Sequence, residues 1–108
     1  MSGPVWVKVC ADADLAENEP RLVLPLGLPV LLVRVSANEL YAISNKCPHM
    51  ACPLHRGKLE RYILTCPCHD WKFDIRSGSM VEAPEIKAVV YPVKIEEGSV
   101  SVQIEEGI

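Results

Sequence analysis

Four of the five cysteines and all three histidines of this 108-residue chain fall within residues 45–76. The same stretch carries Pro48, Pro53, Gly57 and Pro67, residues that interrupt strands and helices alike. That concentration of metal-ligating side chains constrains the chain more than any other feature. Whatever the rest of the chain forms has to carry this excursion as a unit.

The surroundings read as plain β structure. Residues 5–10, 21–26, 29–35 and 40–43 are rich in β-branched and apolar side chains and are bounded by Gly, Pro, Asn and Asp, the pattern of short strands. An acidic turn at residues 12–14 follows the first strand, Gly27 divides the second from the third, and a turn around Ala37-Asn38-Glu39 precedes the fourth. Near the end, residues 89–95 and 100–104 flank Glu96-Glu97-Gly98-Ser99, which predicts a hairpin with Gly98 supplying the turn. Within 45–76 the β pattern returns only at residues 62–64 and 71–73. Helical periodicity, repeats and linkers are not evident. The expected fold class is all-β, an antiparallel sandwich or barrel.

At this length one domain is expected, with about two-thirds of the unfolded surface buried. A net charge of −3 without a basic block argues against nucleic acid. The most apolar stretch, 22–35, is broken by Pro25, Gly27, Pro29 and Arg34 and falls short of the ~20 residues a spanning helix needs. The start, Met-Ser-Gly-Pro-Val, lacks the basic and apolar segments of a signal peptide. The expectation is a soluble, cytoplasmic, monomeric protein, in which cysteines serve metal or redox chemistry before a disulfide scaffold.

Two motifs carry that chemistry: Cys47-Pro48-His49 and Cys66-Pro67-Cys68-His69. Each offers one thiolate and one imidazole. Two irons bridged by two sulfides need four protein ligands, and two Cys with two His is the Rieske set. On these motifs the sequence resembles the Rieske 2Fe–2S family. Leu54 and Gly57 stand where that family places Leu-x-x-Gly. Trp71-Lys72-Phe73-Asp74, Ser77-Gly78, Tyr91-Pro92-Val93 and Glu97-Gly98 extend the match over nearly the whole chain. The resemblance implies a Rieske fold over residues 1–108, with a cluster-binding subdomain at about 45–76. It also implies one 2Fe–2S cluster held by Cys47, His49, Cys66 and His69. A structural zinc site would accept the same four ligands, although zinc knuckles more often use Cys-x-x-Cys spacings.

The ligand set explains why such a site carries electrons. Two ferric ions, two sulfides and two thiolates sum to zero with neutral imidazoles, so reduction leaves a charge of only minus one. A four-Cys cluster goes from minus two to minus three, which is harder in a partly desolvated site. Cys52 and Cys68 stand where the Rieske proteins of cytochrome bc complexes carry a disulfide between the cluster loops. The resemblance makes them neighbours here, either as a disulfide or as a pair of shielded thiols. High-potential members also place hydroxyls two and four residues after the second His. Here those positions are Trp71 and Phe73, so the resemblance is closer to low-potential ferredoxins. Asp70 departs from the family by replacing the usual glycine after His69, and its negative charge is expected to lower the potential further. Pro84 matches a proline that shields the cluster in relatives. Cys10 alternates with Trp6 and Lys8 and reads as a packed side chain, while His55 reads as a surface residue of the first loop.

Oxygenases with a Rieske domain also need a mononuclear iron bound by two His and a carboxylate. Three histidines less the two cluster ligands leave one, so this chain does not build that site alone. The expected role is a ferredoxin component, not itself an enzyme, taking electrons from a reductase and passing them to an oxygenase or another reductase. The alternatives are a nitrite reductase small-subunit-like protein and a zinc-stabilised binding module without redox function.

Overall fold

The computed structural model describes residues 4–37, 39–46, 53–68 and 70–105. Ten strands follow in order: β1 (Pro4–Ala11), β2 (Arg21–Val23), β3 (Val30–Ser36), β4 (Glu39–Ser44), β5 (Lys58–Glu60), β6 (Ile63–Thr65), β7 (Lys72–Asp74), β8 (Val90–Tyr91), β9 (Val93–Glu96) and β10 (Ser99–Glu105). They form three sheets, ordered β1-β10-β9, β2-β3-β4-β8 and β5-β6-β7, with antiparallel pairing throughout. The all-β antiparallel expectation holds.

In the sheet β2-β3-β4-β8, strand β3 is buried on both faces, and this explains its unbroken apolar run. Val30, Leu31, Leu32 and Val33 are all fully buried, although neighbours on a strand point to opposite sides. Val30, Leu32 and Ala42 join Val100, Val102 and Ile104 of β10 in one core. Leu31, Val33 and Ile43 join Leu54, Leu64, Cys66 and Phe73 in the other. Each buried Leu or Val contributes roughly 1.5–3 kcal/mol, so the sheet that would carry a cofactor is welded to the body through β3 and β4.

Arg34 is buried at the end of β3 beside the helical turn Asp12–Asp14. Its Nε donates to the Leu15 carbonyl (3.1 Å) and its Nη1 to the Ala37 carbonyl (3.0 Å). The charge is met by the Asp12 carboxylate.

The structure corrects three local expectations. The strand expected over 21–26 stops at Val23, because the chain turns through Pro25–Gly27 with Leu26 and Gly27 both at positive φ. The strand expected over 89–95 is two strands in two sheets. Pro92 brings no N–H to a ladder, and the chain crosses there from β8, paired with β4, to β9, paired with β10. Cys10 is packed, as expected, but not on the face of Trp6 and Lys8. The β1 register slips between Lys8 and Cys10, so Cys10 leaves the face of Trp6 and Lys8 and packs half-buried with Val7 and Val9 on the second core. Burial there pushes its thiol pKa up. The hairpin at the end matches expectation, with Glu97 and Gly98 at φ 51° and 79°, the pair of positive angles of a type I′ turn.

Candidate metal centre

Of the residues expected to form the site, Cys47, His49, Cys52 and His69 lie outside the described residues, and Cys66 and Cys68 lie within them. Among the described residues there is accordingly no group of three or more potential metal ligands. What the structure gives is the frame that holds both loop ends.

Cys66 follows β6 directly and is fully buried, with a free thiol. Its N–H donates to the Trp71 carbonyl (2.7 Å), and its carbonyl accepts from the Asp70 N–H (3.0 Å). Cys66, Pro67 and Cys68 therefore lie in a closed turn between β6 and β7. Closing it requires Asp70 to adopt φ 57°, a left-handed conformation that Asp tolerates better than most residues with a side chain. The replacement of glycine at this position thus keeps the turn and adds an exposed carboxylate to it. Cys68, exposed in the same turn, is disulfide-bonded.

The first motif is framed by residues 45–46 and 53–57. Lys46 bridges to Pro53, and the Asn45 carbonyl accepts from the Leu54 N–H (2.9 Å). The nearly buried Asn45 side chain completes the clamp. Its Oδ1 accepts the His55 N–H (2.7 Å), and its Nδ2 lies 2.8 Å from His55 Nδ1. With Oδ1 already committed to an N–H, Nδ2 donates to the ring, which leaves the ring proton on Nε2. His55 is exposed, as the sequence implied, but its ring is turned onto Asn45. This contact was not foreseen. Its only signal was a short polar side chain where β4 leaves the core.

The two loops meet at Gly57. Its φ is ordinary, −80°, so the glycine is needed for space. A Cβ there would overlap the Thr65 carbonyl and approach the Leu54 carbonyl oxygen to 3.1 Å. Leu54 is fully buried in the core that holds Cys66. The Leu-x-x-Gly positions therefore anchor one loop in the core and press it on the strand that leads to the other.

Phe73 is fully buried in that core, and the Trp71 ring lies 6.5 Å from it. Neither supplies a hydroxyl. Pro84 is exposed in the loop after residue 81.

A polar clamp ties the β5-β6-β7 sheet to β4. Glu39 Oε2 accepts from Tyr62 Oη (2.6 Å) and Tyr41 Oη (3.1 Å). The Tyr62 hydroxyl is the largest influence holding the Glu39 carboxyl below its ordinary pKa. Arg76 lies 4.0 Å above the Tyr62 ring and binds Asp74 through Nη2 (2.7 Å), which lowers the Asp74 pKa.

The donor chemistry fits a thiolate-ligated cluster. Cys66 is free, buried and placed at a hydrogen-bonded turn, which suits a structural thiolate ligand. Cys68, already spent in a disulfide, is removed from the ligand set.

The Rieske [2Fe-2S] domain family matches residues 5–97. Ferredoxin CarAc of Metapseudomonas resinovorans is 30% identical over 99 residues, 91% of this chain and 92% of that one. The ferredoxin component of the naphthalene 1,2-dioxygenase system of Pseudomonas putida is 34% identical over 92 residues, 84% and 88% of the two chains. The 4beta-methylsterol monooxygenase of Methylococcus capsulatus is 35% identical over 109 residues, but the match spans only 29% of that protein and 91% of this chain. Among solved structures, a complex of reduced oxygenase and oxidized ferredoxin in carbazole 1,9a-dioxygenase contains a chain that superposes with a TM-score of 0.84 at 30% identity, covering 96% of this chain and 97% of that one. A putative NADH-dependent nitrite reductase small subunit from Mycobacterium tuberculosis superposes with a TM-score of 0.82 at 26% identity, covering 94% and 96%. No helix among the described residues is long and apolar enough to cross a membrane.

Proposed function

We propose that this chain, which belongs to the Rieske [2Fe-2S] domain family, is the ferredoxin component of an oxygenase system. It accepts electrons from a reductase and delivers them to an oxygenase. Its cofactor is one Rieske 2Fe–2S cluster, which supplies a one-electron couple. The observation that carries the reading is the match, over most of the length of both partners, to the ferredoxin component of a naphthalene 1,2-dioxygenase system and to the ferredoxin subunit of an anthranilate 1,2-dioxygenase.

In this reading Cys47, His49, Cys66 and His69 hold the cluster, and Cys52 is the partner of the disulfide-bonded Cys68. Residues 1–108 form one domain, with residues 45–76 as its cluster-binding subdomain, and the protein works as a cytoplasmic monomer. The chain's own part is to hold and shield. Buried Cys66 keeps one ligand dry, Gly57 and Leu54 press the first loop on the second, and Asn45 fixes the entry to the first loop. Phe73, without a hydroxyl, offers no O–H bond toward the cluster, and Asp70 adds negative charge to the turn. Both favour the lower part of the Rieske range of roughly −150 to +300 mV.

The visible spectrum and the electron paramagnetic resonance signal of the purified protein test the assignment. His49→Ala and His69→Ala are expected to abolish the Rieske signature, and His55→Ala to preserve it. A colourless, zinc-loaded protein would refute the reading in favour of the binding module.

The fold similarity to the nitrite reductase small subunit favours a second reading, in which the acceptor is another reductase. The full set of two Cys and two His in this sequence weighs against it, because such subunits often lack some of these ligands. Reconstitution with an oxygenase and with a nitrite reductase large subunit separates the two by which one turns over.

A further inference from the structure

We propose that the outer face of the β5-β6-β7 sheet is a cationic docking face for a carboxylate-rich surface of an electron-transfer partner, an inference that rests on the carrier reading above. Antiparallel register sets Lys58 opposite Thr65, and Thr65 opposite Lys72. Residues in register share a face. The neighbouring row, Leu59, Leu64 and Phe73, packs into the core, so the Lys58-Thr65-Lys72 row points outward, and both lysines are exposed. Thr65 immediately precedes Cys66, which puts the row on the border of the cluster turn. Arg56, also exposed, is brought to the same edge because Gly57 packs on the Thr65 carbonyl.

The charges are graded along the sheet. The next outward row, Glu60, Ile63 and Asp74, lies farther from Cys66, and its Asp74 is bound by Arg76. Lys58, Lys72 and Arg56 form no ion pair among the described residues, where the salt bridges are Arg34–Asp12, Arg76–Asp74 and Lys94–Glu96. The nearby carboxylates are Asp70 in the turn, exposed Glu60, and exposed Glu82, which follows the Val81 whose N–H donates to the Lys72 carbonyl (2.8 Å). Two lysines flanking a single strand, about 10 Å apart at ordinary strand spacing, repel one another. A partner carboxylate between them turns that repulsion into attraction.

The local sign also opposes that of the whole chain. Residues 45–76 carry six basic and three acidic side chains, and the remainder five basic and eleven acidic. The resulting dipole turns the cluster end toward an anionic surface before contact.

Small redox probes report this local field without a named partner. The dithionite-reduced protein is reoxidised in a stopped-flow instrument by anionic ferricyanide or by cationic hexaamminecobalt(III). Ionic strength is varied from about 0.01 M to about 1 M, across which the screening length falls from ~30 to ~3 Å. A cationic cluster face makes the ferricyanide rate fall with salt by roughly tenfold, the low end of electrostatic steering, while the cobalt rate rises. The Lys58→Glu/Lys72→Glu variant reverses both trends and keeps the visible spectrum. Lys8→Glu, a charge reversal on β1, leaves both trends in place. A ferricyanide rate that rises with salt, as the net charge of −3 would dictate, overturns the docking face alone. So does a double variant indistinguishable from the parent. A protein without a reducible chromophore overturns the carrier reading and the docking face with it.

Discussion

Gly57→Ala adds one methyl group and should loosen the metal centre more than any other single-carbon change. The backbone angles at Gly57 suit alanine, with φ at −80°, so no conformational strain enters. The cost is steric. The new Cβ overlaps the Thr65 carbonyl and lies 3.1 Å from the Leu54 carbonyl oxygen, and neither is the free end of a flexible side chain. One carbonyl belongs to β6 and the other to the helical turn that buries Leu54. The loops must therefore part, at a cost of about 1–3 kcal/mol for forced overpacking. For a domain of this size each kcal/mol moves Tm by roughly 4–8 °C, so a cost of about 2 kcal/mol lowers Tm by roughly 8–16 °C. Thermal melts followed in parallel by far-UV dichroism and by the visible absorbance of the cluster give the measurement. The visible signal should be lost first in the variant. Gly27→Ala is the control: it carries φ +83° and has nothing within 4 Å of its Cβ, so it incurs backbone strain of about 1–2 kcal/mol without parting the loops. A Gly57→Ala protein that melts within about 2 °C of the parent, with both signals coincident, would refute the steric account.

Other substitutions probe different parts of the frame. Phe73→Tyr places a hydroxyl in the core that holds Cys66 and should raise the midpoint potential measured by voltammetry, with some loss of Tm from overpacking; an unchanged or lower potential speaks against that placement. Arg34→Met leaves the Leu15 and Ala37 carbonyls without their side-chain donors and should cost about 3 kcal/mol in chemical denaturation. Tyr62→Phe removes the strongest influence lowering the Glu39 pKa. A depressed carboxyl pKa stabilises the fold above the ordinary glutamate value and loses that contribution as pH falls through the lowered one. The stability gap between parent and Tyr62→Phe should therefore be full at pH 6 and close on acidification below ~4.

Much of this was legible in the residues. The two Cys-His motifs and the β character of both ends were visible in composition and spacing, because strand periodicity and turn residues are local properties, while the Leu54 and Gly57 positions were marked by the resemblance to the Rieske family. What escaped depended on tertiary pairing. The slip at Val9 that moves Cys10 to the inner face is a matter of how β1 meets β10. The division at Pro92 reflects two sheets competing for one apolar run. β5 is three residues long with two charges, too short and too polar to read as a strand until β6 is beside it. The Asn45–His55 contact joins residues ten apart whose meeting is fixed by Leu54 entering the core. Asp70 could be flagged in advance, because a residue in a glycine's place announces the backbone angle it has to accept.

The β4–β8 pairing has a consequence in chain statistics. Ser44 N–H donates to the Val89 carbonyl (2.7 Å), and Ile43 pairs with Val90, so everything between those strands is one loop whose mouth is held shut. Closing a loop of that length carries a length-dependent entropic cost of about 3 kcal/mol, met by a β8 of only two residues together with the packing of Leu54, Leu64 and Phe73 on β3 and β4. Any bond across the excursion shortens the effective loop and relieves part of that cost. Cluster uptake should thus tighten the adjoining seam between β4 and β8. Backbone amide exchange at residues 43–44 and 90–91 becomes a gauge of whether the cluster is in place.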